Sequence, residues 1–332
     1  MPRVSIIITS FNCENYIEET IASAVAQSDV DLEVIVIDDA STDGTLQLAL
    51  EAAGRDARVK VYPQAHGGKA SIARNAGLEL AQGDYICFLD GDDLYDPSKV
   101  ESQRKFLDAN PGTAAVFHDM KLIDESSEVI APSFLQKYRF LEKAHAYLTK
   151  LTADTYVCNP QFYLYMALEH SSVHTSSIML RRSILLQTRL RFEEDVRMAE
   201  DIEFWWAVAR GRTLGYIDRQ LSSYRVHGGN MTKNTETLLR DSIIVHRRNL
   251  ARCAAALTPD QERQYERKIA DTWFSLGYFC FCNGRTREAR RFYLSAIRLS
   301  FERRFAISYL KTLAPQALRG AWQRMTTTPS SQ

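Results

Sequence analysis

Short apolar runs alternate with amphipathic stretches through the first 120 residues. Val4-Ser5-Ile6-Ile7-Ile8-Thr9 is β-branched and too short for a helix, so it predicts a strand buried on both faces. From Glu14 to Ala26 the apolar positions Tyr16, Ile17, Ile21, Ala24 and Val25 fall at helical spacing. Leu32 to Ile37 predicts a second strand, running into Asp38-Asp39. Ser41 to Thr45 supplies capping residues for a helix with Leu46, Leu48, Ala49 and Leu50. Val59 to Tyr62 reads as a third strand. The loop His66-Gly67-Gly68-Lys69 follows, then a helix carrying Ile72, Ala73, Ala76, Leu78 and Leu80. Tyr85 to Leu89 is a further buried strand, and it ends in Asp90-Gly91-Asp92-Asp93. Strands alternating with helices imply an α/β fold, a Rossmann-like and mostly parallel sheet with right-handed crossovers and helices on its faces.

Beyond this the pattern changes twice. A helix after Asp96-Pro97 and a strand at Ala114 to Phe117 keep the rhythm, but Leu122 to Val173 loosens and fills with aromatic residues. That segment is expected to form mixed loops and short helices that wall an acceptor side. His174 to Leu180 predicts a strand, and Glu200-Asp201 opens a helix ending in Phe204-Trp205-Trp206. Acids favour helix N-termini electrostatically, so that pair has a plain structural reading as well. Tyr216-Ile217 and Ser223 to His227 predict two short strands. Past residue 236 the chain turns helical and Arg-rich. The expected division is an α/β domain over 1–235, split near 120, a helical region over 236–325, and a disordered tail over 326–332.

Charge sharpens this division. The formal net charge of +0 hides 17 Lys and Arg against 8 Asp and Glu from Glu236 onward, which leaves the first 235 residues acidic. Six cysteines show no CxxC pair and no zinc spacing, which favours free thiols in a reducing cytoplasm. The N-terminal residues run straight into a strand without a signal-peptide pattern, and no apolar stretch reaches the length of a membrane span.

Three acids in four positions at a strand end need a reason, because unpaired carboxylates repel and are costly to desolvate. A polar loop capping the next helix is the bland explanation. A divalent cation, Mn2+ or Mg2+, is the sharper one, since it takes hard oxygen ligands and leaves positions open for phosphates. In open α/β sheets ligands sit beyond the carboxyl ends of the strands, which puts Thr9, Phe11, Asp39, Asp90 and Asp92 along one rim. Phe11 can stack on a base or simply pack in the core. Asp39 can accept from a base N–H, and Arg74, near a helix start, can approach phosphates. A dinucleotide turn is excluded because Thr9 to Glu14 contains no glycine, and Gly67-Gly68-Lys69-Ala70 lacks the Walker spacing.

The ordered motifs resemble the inverting glycosyltransferases of family 2, which have the GT-A fold. They are Val4 to Asn12, Val34 to Thr45, Ala73 to Leu78, Gly83 to Asp93, Glu200 to Trp206 and Tyr224 to His227. The resemblance spans about 230 residues, and the order of its motifs makes it specific. It implies transfer of a sugar from a nucleotide-sugar donor, expected to be UDP-linked, to a hydroxyl of a glycan or lipid-linked acceptor. Residue by residue, it implies that Thr9 and Phe11 hold the nucleoside and that Asp39 meets the base. Asp90 would meet the ribose and Asp92 the metal on the diphosphate, with Asp93 as its structural companion. Asp201 matches the catalytic base. His227 stands where some relatives contact metal or diphosphate, and Lys69 and Arg74 are possible donor contacts. Glu200, Ser176, Trp205 and Arg225 are expected as acceptor-side or structural support.

In the last third, Trp273 to Gly277 with Gly284, Ala289, Tyr293 and Ala296 resembles one tetratricopeptide repeat, although Cys280 and Phe301 replace the usual Tyr and Pro. A lone copy favours a helical hairpin over a peptide-binding solenoid. The arginines there suggest peripheral docking to an anionic membrane at its cytoplasmic face, whereas nucleic acid is disfavoured because the aromatics sit at helix-core spacing. A catalytically silent nucleotide-sugar binder or scaffold, acting through its helical region, is the competing function.

Overall fold

The computed structural model describes residues 3–28, 31–65, 67–230 and 234–315. The expected tail at 326–332 lies outside the described residues. The chain divides into two compact units, split after Asn230.

The first unit opens with β1 (Val4–Ser10), α1 (Ile17–Val25), β2 (Leu32–Asp38), α2 (Thr45–Arg55), β3 (Val59–Pro63), α3 (Ala70–Leu80) and β4 (Tyr85–Asp90). It continues with β5 (Leu94–Tyr95), α4 (Lys99–Ala109), β6 (Thr113–Ile123), β7 (Val129–Ala131), α5 (Phe140–Lys143), β8 (Leu148–Lys150) and β9 (Thr155–Cys158). Then follow α6 (Phe162–Leu168), β10 (Met179–Arg181), α7 (Arg182–Thr188), α8 (Glu200–Ala209) and β11 (Thr213–Arg225). Among the described residues eleven strands join one sheet, with its main path in the order β3-β2-β1-β4-β10-β6-β11-β9-β8. This is the α/β architecture that the alternation of strands and helices predicts, and it agrees with the GT-A fold that the family resemblance implies.

The parallel register places the site. Thr9 of β1 lies between Ile37 of β2 and Asp90 of β4, and Ser10 pairs with Asp38, so three strand ends meet at one rim. Both faces of β1 and β2 are covered, which is why these strands read as continuous apolar runs. Helix α3 can lie directly on β1 because position 77 is glycine: a Cβ there would stand 2.3 Å from Ile7 Cγ2.

Three expectations change. Tyr216-Ile217 and Ser223-Tyr224-Arg225 belong to one strand, β11, which pairs in parallel with β6 and absorbs the polar Asp218-Arg219-Gln220 interruption through register shifts. His174 to Ser177 is not strand but a loop with a one-turn 3-10 helix, and only Met179–Arg181 enters the sheet, antiparallel between β4 and β6. Half of the eight large aromatics between Phe134 and Tyr165 are core rather than wall. Phe140, Phe162, Tyr163 and Tyr165 are buried, and Phe117, Phe140, Phe162 and Tyr216 form a ring cluster with centroids 4.8 to 6.1 Å apart.

The second unit holds α9 (Thr235–Cys253), α10 (Pro259–Cys282), α11 (Thr286–Leu299) and α12 (Arg303–Lys311). Helix α10 starts with a capping box between Thr258 and Gln261 and with Pro259 in its first turn. It begins well before Trp273, so the α10–α11 hairpin is longer on one side than the repeat suggested by the sequence. The core of this unit includes Leu276, Cys280, Ala289 and Tyr293. All six cysteines are free thiols.

Candidate active site

The turn after β4 is held from three sides. Thr20 of α1 donates its hydroxyl to the carbonyls of Gly91 and Asp93, at 3.1 and 2.9 Å. Arg225, at the end of β11, donates Nε to the Asp92 carbonyl (2.8 Å) and its backbone N–H to Asp93 Oδ1 (3.0 Å). Ser176 donates Oγ to Asp93 Oδ2 at 2.6 Å. Glycine is required between the acids, since a Cβ at position 91 would come within 2.9 Å of Cys13 Sγ and of the Thr9 carbonyl. Asp93 is therefore a buried staple, with both oxygens used inside the protein. Burial, followed by repulsion from Asp92 and Asp90, raises its pKa well above the usual carboxylate range.

Asp90 and Asp92 have different surroundings. Asp90 Oδ1 accepts from Arg74 Nη2 at 2.9 Å, while Arg74 Nη1 donates to Glu200 Oε1 at 2.7 Å. One buried guanidinium thus serves two carboxylates. Burial opposes the charge on Asp90, yet Arg74 and then His174 outweigh it and hold its carboxyl below the ordinary range. Burial pushes Glu200 up to about 7, because Arg74 is shared and Asp201 adds a like charge. Asp92 instead turns to β11: its Oδ2 lies 2.8 Å from His227 Nε2. The Gly229 N–H donates to His227 Nδ1 (3.2 Å), which orients the ring with Nε2 toward Asp92. Tyr16 packs beside that ring at a centroid distance of 4.9 Å.

The remaining rim residues are now placed. Phe11 is 47% exposed, so it is not core packing. Asp39 is buried, and its carboxylate accepts from Gln64 Nε2 (2.8 Å), Gly67 N (2.6 Å) and Gly68 N (3.0 Å), shaping the loop before α3. Lys69 donates Nζ to the Glu194 carbonyl at 2.5 Å. Asp201, in the first turn of α8, accepts from Ile202 N (2.8 Å) and at long range from Thr175 Oγ1 (3.5 Å).

Several expectations are corrected by burial. Arg74 stands in the second turn of α3, only 6% exposed, with its end nitrogens turned to Asp90 and Glu200 rather than to an open phosphate site. Trp205, at 0% exposure, is core: it packs on Phe88, Phe192 and Phe204 and offers no surface to an acceptor. Ser176 and Arg225 are equally enclosed and bond the acidic turn, which is the structural-support side of what was expected of them. His174 has no role in the sequence reading. Its Nδ1 accepts from Ser176 N at 3.3 Å, and it offers a ring nitrogen within 4.8 Å of carboxylate oxygens of Asp90 and Asp93. Burial lowers its pKa against the pull of Asp90 and Asp201. No local signal singled it out, because His174 sits in a polar stretch from Glu169 to Ser177 that only Val173 interrupts.

Two groups at this rim could be considered for a cation. Asp90, Asp93 and His174 are close together, but both Asp93 oxygens, Asp90 Oδ1 and His174 Nδ1 are already bonded to Arg225, Ser176 and Arg74. Asp92 and His227 fit better. Their side chains are 23% and 14% exposed, and 2.8 Å is close to the roughly 3 Å between neighbouring ligand atoms in an octahedral shell of about 2.1 Å radius.

Residues 5–170, half of the chain, match the sequence model of Glycosyl transferase family 2. The chain belongs to that family. A relative in this group, an uncharacterized glycosyltransferase of Haemophilus influenzae, is 30% identical over 227 residues, covering 68% of this chain and 66% of its own, so the chain spans slightly under two thirds of that glycosyltransferase. Among solved structures of family-like fold, S. aureus TarS 1-349 in complex with UDP-GlcNAc superimposes with a TM-score of 0.63 at 17% identity, covering 98% of this chain and 92% of TarS. The mannosyltransferase PcManGT from Pyrobaculum calidifontis, in complex with GDP-Man and Mn2+, matches with a TM-score of 0.57 at 17% identity, over 98% and 84% of the two chains. At such identities the likeness is one of fold. Among the described residues of the chain, no helix is long and apolar enough to cross a membrane.

Proposed function

We propose that this glycosyltransferase is a metal-dependent, inverting enzyme that moves a sugar from a nucleotide-sugar donor, expected to be a UDP-sugar, to a hydroxyl of a glycan or lipid-linked acceptor. The observation that carries the reading is the pairing of Asp92 with His227 at a rim that also holds Asp90 and Asp201. The neighbours that bind UDP-GlcNAc, and GDP-Man with Mn2+, support the donor class and the need for a cation.

In this reading Phe11 stacks on the base and Thr9 contacts the nucleoside. Asp39, through its bonds to Gln64, Gly67 and Gly68, sets those residues against the base. Asp90, kept ionised by Arg74, accepts from the ribose hydroxyls. Asp92 and His227 are the side chains that would hold Mn2+ or Mg2+, and such an ion supplies positive charge that stabilises the departing diphosphate. Lys69 adds a further cation near the same edge. Asp201 takes the proton from the acceptor hydroxyl as its oxygen attacks the anomeric carbon on the face opposite the leaving group, and this single displacement inverts configuration. His174, between Asp90 and Asp201, donates Nε2–H toward the reacting sugar or acceptor. Asp93, Ser176, Arg225 and Thr20 hold the turn rigid, so that ligands are presented without a reorganisation cost.

The test is a thermal-shift series with nucleotide sugars, with and without Mn2+, since a bound donor raises apparent stability. Stabilisation by a UDP-sugar that requires Mn2+ is expected. No stabilisation by any nucleotide sugar with either ion would overturn the reading.

A further inference from the structure

The last two helices expose a surface that the chemistry at the rim does not use. In α11 the exposed positions are Arg287, Arg291 and Arg298, which fall within about 40° of one another on a helical wheel. None of the three has an ion pair or hydrogen-bond partner for its guanidinium among the described residues. They differ from Arg285, which pairs with Glu236 and Glu288, from Arg290, which bonds to Thr312, and from Arg304, which pairs with Glu302 and Asp271. The opposite face of α11 buries Ala289, Tyr293 and Ala296, so the stripe follows from how the helix packs.

Helix α12 is apolar on two sides. Phe305 is buried, while Ile307 and Leu310 are 53% and 60% exposed on the other face, next to Arg303 and Lys311. Phe301 (73%) and Leu313 (51%) extend that apolar exposure at either end. Large aliphatic side chains left in water at i and i+3, flanked by cations, are the pattern of a helix that lies in a lipid interface.

We propose that α11 and α12 form a docking surface for an anionic lipid bilayer, with Ile307, Leu310 and Leu313 entering the headgroup boundary and Arg287, Arg291, Arg298 and Arg303 meeting lipid phosphates. Charge selects this occupant over the alternatives. From Arg303 to Gln332 the sequence has five Arg and Lys and no Asp or Glu. A second copy would set the same cations against each other. The surface is independent of the donor chemistry, so either proposal can fail alone.

The test is co-sedimentation of the full chain with phosphatidylcholine vesicles, with and without phosphatidylglycerol, at low and high salt. Binding is expected only with phosphatidylglycerol and should weaken with salt. Reversing the stripe (Arg287→Glu, Arg291→Glu, Arg298→Glu) should weaken it at least about a hundredfold, at roughly fivefold per lost cation. Ile307→Ser with Leu310→Ser should weaken it while leaving the residual binding salt-sensitive. All these positions are exposed, and unchanged thermal unfolding verifies that the variants fold. No binding to phosphatidylglycerol vesicles at low salt would overturn the proposal, as would equal binding by the reversed stripe. A dimer of the wild-type chain that Leu310→Ser dissociates, or retention on an RNA column in place of vesicles, would also overturn it by assigning the surface to another occupant.

Discussion

His227 Nε2 and Asp92 Oδ2 lie 2.8 Å apart although 135 positions separate them in the chain. The contact exists because β11 runs parallel to β6 and ends where Arg225 bonds the Asp92 carbonyl, so the residues just past that strand fold back over the acidic turn. Asp92→Asn is expected to abolish Mn2+-dependent stabilisation by a UDP-sugar. His227→Gln should raise the Mn2+ concentration needed, by at least the roughly tenfold that losing a partner of a metal ligand costs. Metal titrations followed by thermal shift measure both. Unchanged Mn2+ demand in His227→Gln would remove His227 from the ion's shell.

Asp201 is argued to be the base, so its substitution must separate binding from chemistry. Asp201→Asn should bind donor with near wild-type affinity by calorimetry while turnover falls about 10²- to 10⁴-fold. Turnover within a few-fold of wild type would refute the assignment.

Arg74 is the shared counter-charge of two buried carboxylates. Arg74→Met leaves Asp90 and Glu200 without it and should cost about 3–5 kcal/mol in urea unfolding. Glu200 adds a pH signature. Its pKa rises from the model-peptide 4.5 to about 7 in the folded chain, so the native state binds the extra proton between these values. That contribution is fully present below 4.5 and is lost as pH rises through 7. Glu200→Gln should therefore reduce the decline in stability over this window.

His118 works in the opposite direction. It is buried in β6 with Nδ1 2.6 Å from the Asp119 carbonyl, and burial, then Lys99, lower its pKa from 6.5 to about 3. The neutral ring's contribution is present above 6.5 and fades as pH falls toward 3, reaching a loss of about 2 kcal/mol at pH 5. His118→Phe should flatten the acid limb of the stability curve measured by urea unfolding. An unaltered limb would mean that other groups govern it.

Much of this site was legible before any coordinates. The all-apolar β1, β2 and β4 could only be strands covered on both faces, and their common ending in polar residues marked the rim. Asp92 stood out because three acids crowd into four positions at a strand end, whereas Asp201, which a helix N-terminus alone could explain, was singled out by the family resemblance. Less legible were the partners. Arg74 looked like a phosphate ligand because local sequence cannot show that Asp90 and Glu200 converge on it from two other elements. For Trp205 the sequence left acceptor-side and structural roles open, because helical spacing alone does not reveal the second aromatic layer that encloses it.

By itself, the sequence determined the alternation of buried strands and helices, the acidic character of the first part, the basic character of the last, and the family. These follow from side-chain type and period, which are local. Only the tertiary structure decided which acid is stapled, which is salt-bridged and which faces His227. Those fates depend on strand register and burial, and a carboxylate's charge, partner and reach are set by whichever groups the fold brings within a few ångströms of it.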